Sequence, residues 1–161
     1  MKLKSADIIK LLDLQELPEE GGYFKRVYQS SELVTLKRGI RACGDGIYYL
    51  ITSEQFSGLH KLLCDEMWHF YAGDPVEQII FNESEFKEVE LGNSNFNIHL
   101  PQSLVPAGFW QVTKLREGGE WALIGTNAFP AYDHKDFQMK EASELVKLHP
   151  EKENRIMSYV K

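Results

Sequence analysis

Apolar and polar residues follow two different periods along the chain. In the segment 5–12, Ile8, Ile9 and Leu11 recur at the spacing of one helical face, and the polar residue Ser5 precedes them. This spacing predicts an amphipathic helix that ends before Pro18. From Gly22 onward the apolar residues alternate with polar ones, which is the period of strands.

The alternating segments are short and are separated by turns rich in Gly, Pro, Asn and Asp. The predicted strands are 23–28, 47–51, 67–71, Val76–Phe81, Phe86–Leu91, 96–100, 109–115 and 121–126. Short strands at such regular spacing are typical of an antiparallel sandwich or barrel. Beyond Pro130 the pattern predicts a short helix at 142–148 and a second one that Pro150 opens. We therefore expect one mainly β domain over residues 1–161.

Composition excludes several classes of protein. Hydrophobic residues make up 43% of the chain and the formal net charge is -6, which favours a folded domain and argues against a nucleic-acid partner. The two cysteines lie far apart and predict no disulfide framework. No signal peptide is visible and no segment approaches the roughly 20 apolar residues that cross a bilayer, so we expect a cytoplasmic protein without a membrane partner.

The segment 57–73 carries the most informative chemistry. Strand alternation places Glu66 on one face with Trp68 and Phe70, and His69 on the opposite face unless a bulge reverses it. A single carboxylate among large aromatic side chains is typical of a barrel interior with one polar group. We therefore expect Glu66 to face a pocket.

Two motifs resemble those of the cupins. His60, Glu66 and Gly73 have the spacing of the first cupin motif, and Pro106 and Gly108 match the turn of the second. Longer phrases resemble the small single-domain cupins of bacteria and fungi, the cupin-5 type: EGGYF at 20–24, IYYLIT at 47–52, DEMWHFYAGDP at 65–75 and VPAGFWQ at 105–111. The resemblance implies a double-stranded β-helix (a jelly-roll barrel), usually dimeric, with a pocket inside the barrel.

The resemblance also bears on metal binding. A complete cupin site offers three histidines and one glutamate to a divalent metal, whereas here Leu62 replaces one histidine and Gln111 another. His60, Glu66 and Gln111 remain as candidate ligands, and their imidazole and carboxylate groups suit Zn, Mn or Fe. Because a neutral amide is a weak ligand, this incomplete set predicts no tightly bound metal.

Three functions compete at this point. The first is a cupin isomerase or epimerase acting on a sugar or hydroxy acid, in which His60 or Glu66 removes a proton and Tyr48 or Tyr49 returns one. The second is a non-catalytic module that senses or stores a small molecule, and a metal-dependent cupin enzyme is a further alternative. The third is a structural protein. The expected pocket residues are Trp68, Phe70, Gln111, Tyr23 and Arg26, with a surface ion pair as the alternative role for Arg26. An aromatic-rich sheet face predicts a homodimer.

Overall fold

Two antiparallel sheets form the body of the protein. The computed structural model describes residues 3–93 and 98–160. Within these residues the larger sheet runs in the order β1 (Gln15–Glu16), β2 (Tyr23–Gln29), β5 (Asp45–Thr52), β12 (Trp121–Phe129), β7 (Asp65–Gly73) and β10 (Gln102–Val105). The smaller sheet runs in the order β13 (Phe137–Met139), β6 (Ser57–Leu62), β11 (Trp110–Leu115), β8 (Val76–Phe81) and β9 (Phe86–Leu91). A separate hairpin joins β3 (Leu33–Leu36) to β4 (Gly39–Ala42).

Helical segments cover the outer faces of both sheets. Helix α1 (Ser5–Leu12) packs Ile8 beside Leu50 of β5. The short helices α2 (Ala142–Leu145) and α3 (Glu153–Met157) contribute Leu145 and Ile156, which pack against Trp110 of β11. No helix among residues 3–93 and 98–160 is long and apolar enough to cross a membrane.

The inward faces of the two sheets form the main core. Alternation along β7 turns Trp68 and Phe70 inward, where they pack with Ile51 and Ile124 of the larger sheet and Ile80 of the smaller one. The result is the predicted jelly-roll barrel with an N-terminal helix and short C-terminal helices.

Most of the predicted strands are present, some of them with different bounds. Strands β8 and β9 have the predicted bounds, whereas β12 continues to Phe129. Strand β6 was not predicted because its sequence, SGLHKL, does not alternate between apolar and polar residues, although nearly all of its side chains are buried. The predicted strand 96–100 lies partly outside the described residues, and Leu100 forms only an isolated bridge with Leu91.

A buried ion pair ties the β3–β4 hairpin to the segment that precedes β13. Arg41 donates from Nε to Asp136 Oδ2 over 2.9 Å and from Nη2 to Oδ1 over 3.0 Å, and Arg38 adds a 3.2 Å contact. Hydrogen bonding by Arg41, with a smaller contribution from Arg38, lowers the pKa of Asp136. This pair fixes the segment that carries Phe137, which forms part of the cavity described below.

Asp136→Asn should lower the thermal unfolding midpoint at pH 7, because Arg41 then loses its charged bidentate partner. A lowered carboxyl pKa contributes stability above the unfolded-state value of about 3.9, and this contribution is lost as the pH falls through the folded-state pKa. The difference in thermal unfolding midpoint between wild type and variant should therefore become smaller below about pH 4. Thermal unfolding from pH 2 to 7 measures both effects.

The matched control is Glu85→Gln, because Glu85 pairs with Lys87 at the surface, where both side chains are more than half exposed. We expect this control to change stability by less than about 0.5 kcal/mol. If the difference in unfolding midpoint between wild type and Asp136→Asn stays constant below pH 4, the assigned role of the ion pair is contradicted.

Candidate active site

A cavity of about 330 Å³ enters the barrel between the two sheets. Its wall is mostly apolar, with a small set of titratable groups, which is the usual composition of a small-molecule site. The lining residues are Leu17, Pro18, Glu19, Glu20, Phe24, Arg26, Asp45, Ile47, Tyr49, Leu62, Glu66, Thr126, Ala128, Tyr132, His134 and Phe137.

Glu66 supplies a buried carboxyl group to this cavity. It lies near the start of β7 and is only 8% exposed. The side-chain amide Nε2 of Gln111 donates to Glu66 Oε2 over 2.7 Å, and Thr126 forms a further side-chain hydrogen bond. Burial raises the pKa of Glu66, His60 lowers it less strongly, and the neighbouring Glu20 raises it further. The site therefore favours the protonated carboxyl more than water does.

A second carboxyl group, that of Glu20, is held by two side-chain hydrogen bonds. Ser57 Oγ donates to Glu20 Oε1 over 2.6 Å, and the hydroxyl of Tyr49 lies 3.0 Å from the same oxygen and 2.7 Å from the backbone oxygen of Gly21. Gly22 has a φ of 74°, and a Cβ atom there would lie 2.7 Å from the Tyr49 ring. The glycine turn thus allows Glu20 and Tyr49 to meet.

His60 belongs to β6 of the smaller sheet and lies near these carboxyl groups. It is 1% exposed, and its Nδ1 lies 2.8 Å from the backbone oxygen of Gly58. A carbonyl oxygen can only accept, so Nδ1 carries the proton. The other ring nitrogen, Nε2, is 3.9 Å from Glu20 Oε2, and the ring stacks on Phe137. His60 can therefore exchange a proton only through Nε2.

Arg26 and Asp45 form a charged pair in the lining. Arg26 Nε lies 3.4 Å from Asp45 Oδ2, and Asp45 is 3% exposed. Oδ2 accepts no hydrogen bond from any described residue. Burial raises the pKa of Asp45, while Arg26 opposes this effect. Arg26 therefore lines the cavity, and its ion pair is with a buried lining carboxyl group and not with a surface one.

The sequence agrees with this architecture. Residues 6–140 match the Cupin_5 family model, described as cupin superfamily (DUF985). The chain belongs to the Cupin_5 family.

Solved structures extend the comparison of this Cupin_5 chain. A hypothetical protein from Leishmania major is 27% identical, with 98% of this chain and 99% of that one covered at a TM-score of 0.89. A protein from Shewanella oneidensis is 25% identical, with 99% of each chain covered at a TM-score of 0.87. A dTDP sugar isomerase from Desulfovibrio desulfuricans G20 is 9% identical, with 80% and 87% covered at a TM-score of 0.54, and shares the fold alone. No curated protein matches the sequence.

Four of the residues selected from the Cupin_5 sequence come together at one end of the barrel. Glu66 and Arg26 line the cavity, Gln111 binds Glu66, and His60 lies beside Glu20. Trp68 and Phe70 face inward but belong to the packed core and do not line the cavity. His69 faces away from Glu66, and its Nδ1 lies 2.9 Å from Gln102 Nε2.

Three further predicted site residues require correction. Gln111 contacts Glu66 but is not itself a lining residue. Tyr48 and Tyr23 do not line the cavity; both pack on the outer face of the larger sheet, in the cluster that α1 covers. Tyr48 meets Tyr71 edge to face, with ring centroids 6.4 Å apart. The neighbouring Tyr49 faces the cavity instead. Because α1 buries the outer face of β5, both faces of that strand are apolar, and its sequence does not distinguish them.

The residues that the prediction omitted are Glu20, Asp45 and Ser57. Glu20 belongs to a glycine turn and approaches Tyr49 only in the folded chain. Asp45 begins β5, and its alternation with Ile47 and Tyr49 would have placed it on the inward face. Alternation on β6 would likewise have placed Ser57 with His60 only if the strand had been recognised.

A divalent metal does not fit the donor set of this Cupin_5 chain. Among residues 3–93 and 98–160, no group of three or more His, Cys, Asp or Glu side chains is placed to hold a metal ion. Gln111 directs its amide nitrogen at Glu66 and so donates a hydrogen bond, which a ligand oxygen would not do. His60 has one ring nitrogen engaged by Gly58. The arrangement corresponds to a hydrogen-bonded acid–base cluster.

Glu66→Gln should change how stability depends on pH. A raised folded-state pKa means that the folded protein binds more protons, so wild type loses stability as the pH rises above the ordinary value of 4.5. The variant lacks this pH-dependent contribution. Between pH 4.5 and 8, the free energy of unfolding of the variant should therefore rise relative to that of wild type. Urea unfolding at several pH values measures the difference.

Glu117→Gln removes an exposed carboxyl group outside the cavity and serves as the control. Its stability should follow that of wild type across the same pH range. Parallel curves for wild type and Glu66→Gln would show that Glu66 titrates at its ordinary pKa and would contradict the assignment.

Proposed function

We propose that this Cupin_5 protein binds a small organic molecule in the barrel cavity and moves a proton on it, as an isomerase or epimerase does. The observation that carries the proposal is the Glu66 carboxyl group, which lines the cavity and has a raised pKa. A carboxyl whose pKa is moved toward neutrality exchanges protons efficiently at physiological pH. A proton removed from a carbon beside a carbonyl group passes to Glu66, the electrons move to the carbonyl oxygen, and the proton returns to carbon.

The surrounding residues suit this role of Glu66. Gln111 fixes the orientation of the carboxyl group through Oε2. His60 lies close enough to affect its charge, and Tyr49, whose hydroxyl group contacts Glu20 Oε1, lines the same cavity. The expected acid is therefore Tyr49, and the expected base is Glu66 with His60 as its neighbour.

Glu66→Gln tests the proposal because it keeps the shape of the side chain and removes the proton-exchanging group. The purified protein is incubated in D₂O with a panel of aldoses, ketoses and α-hydroxy acids, and proton NMR follows the loss of C–H signals. We expect exchange of at least one compound by wild type and a rate roughly 100-fold lower for Glu66→Gln. Exchange that persists in the variant would contradict the role of Glu66.

The adjacent tyrosines provide a matched pair for the same assay. Tyr49→Phe removes a hydroxyl group from the cavity, whereas Tyr48→Phe removes one from the outer face of the sheet. We expect a slower exchange rate for Tyr49→Phe and an unchanged rate for Tyr48→Phe. Equal rates in the two variants would remove Tyr49 from the mechanism.

A non-catalytic binding module is the second candidate. The observation in its favour is that the Tyr49 hydroxyl is already engaged by Glu20 and Gly21, while most of the cavity wall is apolar. Under this function wild type would bind a compound of the panel without any C–H exchange, and Glu66→Gln would change affinity alone.

We also propose that two copies of the chain pair through the outer face near β10. Strand β10 is an edge of the larger sheet, and Leu104 and Tyr71 are about half exposed there. His69 Nε2 is buried on the same sheet face without a hydrogen-bond partner among the described residues. An edge strand pairs readily with its own copy about a two-fold axis.

A further inference from the structure

The charges of the cavity lining are unbalanced. Among the described lining residues, four are acidic: Glu19, Glu20, Asp45 and Glu66. Arg26 is the permanent cation, and His134 also belongs to the lining. With Glu66 and Asp45 both ionised, the four acidic groups outnumber Arg26 and the two histidines even when His134 and the adjacent His60 are both protonated. A carboxylate or phosphate ligand would therefore enter a cavity of its own sign.

The cations of the lining are also already placed against carboxylates. Arg26 Nε lies 3.4 Å from Asp45, His134 Nδ1 lies 3.8 Å from Glu19, and His60 Nε2 lies 3.9 Å from Glu20. Glu66 receives hydrogen bonds from neutral side chains, those of Gln111 and Thr126. Of the four lining carboxyl groups, Glu66 is thus the one that forms no ion pair with a described cation.

Two further features accept a positive group. Asp45 Oδ2 is buried and belongs to a lining residue, and besides its 3.4 Å ion pair with Arg26 it accepts no hydrogen bond from any described residue. Aromatic rings also contribute to the wall, and the faces of such rings attract ammonium groups. The aromatic lining residues are Phe24, Tyr49, Tyr132 and Phe137.

We infer that the ligand of this cavity is a small organic ammonium ion, whose charged nitrogen lies among Glu66 and Asp45 and whose apolar frame packs on the aromatic wall. An ammonium group supplies up to three hydrogen-bond donors, and the cavity offers carboxylate acceptors. The inference rests on the proposed function, because it concerns the substrate class of the same cavity. It goes beyond that function by fixing the charge of the ligand.

A set of three probes with one carbon frame tests the sign of the charge. The probes are 2-phenylethylamine, 2-phenylethanol and phenylacetate, which are cationic, neutral and anionic at pH 7. Their affinities for the full-length protein are measured by ligand-observed NMR titration. We expect the amine to bind about tenfold more tightly than the alcohol, and the acid to bind most weakly.

Variants connect this preference to the carboxyl groups. Glu66→Gln should reduce the preference for the amine over the alcohol. Asp45→Asn leaves Arg26 without its carboxylate partner and should improve the relative binding of phenylacetate. Glu117→Gln, which removes an exposed charge outside the cavity, should leave all three affinities unchanged.

The outcomes separate this inference from the proposed function. If alcohol and amine bind equally and the C–H exchange still depends on Glu66, the cation inference fails and the proposed function stands. Phenylacetate binding at least as tightly as the amine to wild type also overturns the inference. If all three probes fail to bind at millimolar concentration and no C–H exchange occurs, both proposals fail.

Discussion

Glu66 places an ionisable carboxyl group inside a barrel whose neighbouring side chains are largely aromatic and aliphatic. Burial of an isolated carboxylate costs several kcal/mol, so the group must be hydrogen-bonded, protonated or paired. Gln111 and Thr126 supply the hydrogen bonds, and burial raises the pKa of the carboxyl group. The arrangement of Glu20 and His60 follows from the same constraint, because each of them changes the cost of the charge on Glu66.

Buried polar side chains in the barrel differ in whether their hydrogen bonds are satisfied. Away from the cavity, Gln78 donates to Thr113 and accepts from Ser103, so three buried polar side chains satisfy one another. Beside Glu66, the oxygen Gln111 Oε1 accepts no hydrogen bond from the described residues. A closed network stabilises the fold, whereas a partly satisfied one costs stability and is commonly kept where a ligand completes it.

The sequence predicts the fold better than it predicts the site. Strands β8 and β9 are short segments of strand-forming residues bounded by turn residues, so their positions could be predicted, and the spacing of His60 and Glu66 indicates the family. Strand β5 is covered on both sides, so alternation alone does not choose between Tyr48 and Tyr49. Glu20 reaches the cavity through a glycine turn and a hydrogen bond to Tyr49, which lies 29 residues away along the chain. Local sequence patterns do not predict contacts over this separation.

The central claim is that the Glu66 carboxyl holds its proton more tightly than an ordinary glutamate does. Carbon-13 NMR of protein labelled at the glutamate side-chain carboxyl carbons measures this directly, and Glu66→Gln identifies the Glu66 resonance by its loss. We expect this resonance to titrate with a pKa clearly above 4.5 and to shift when a ligand fills the cavity. Titration of Glu66 together with the exposed glutamates, at their ordinary pKa, would contradict the account.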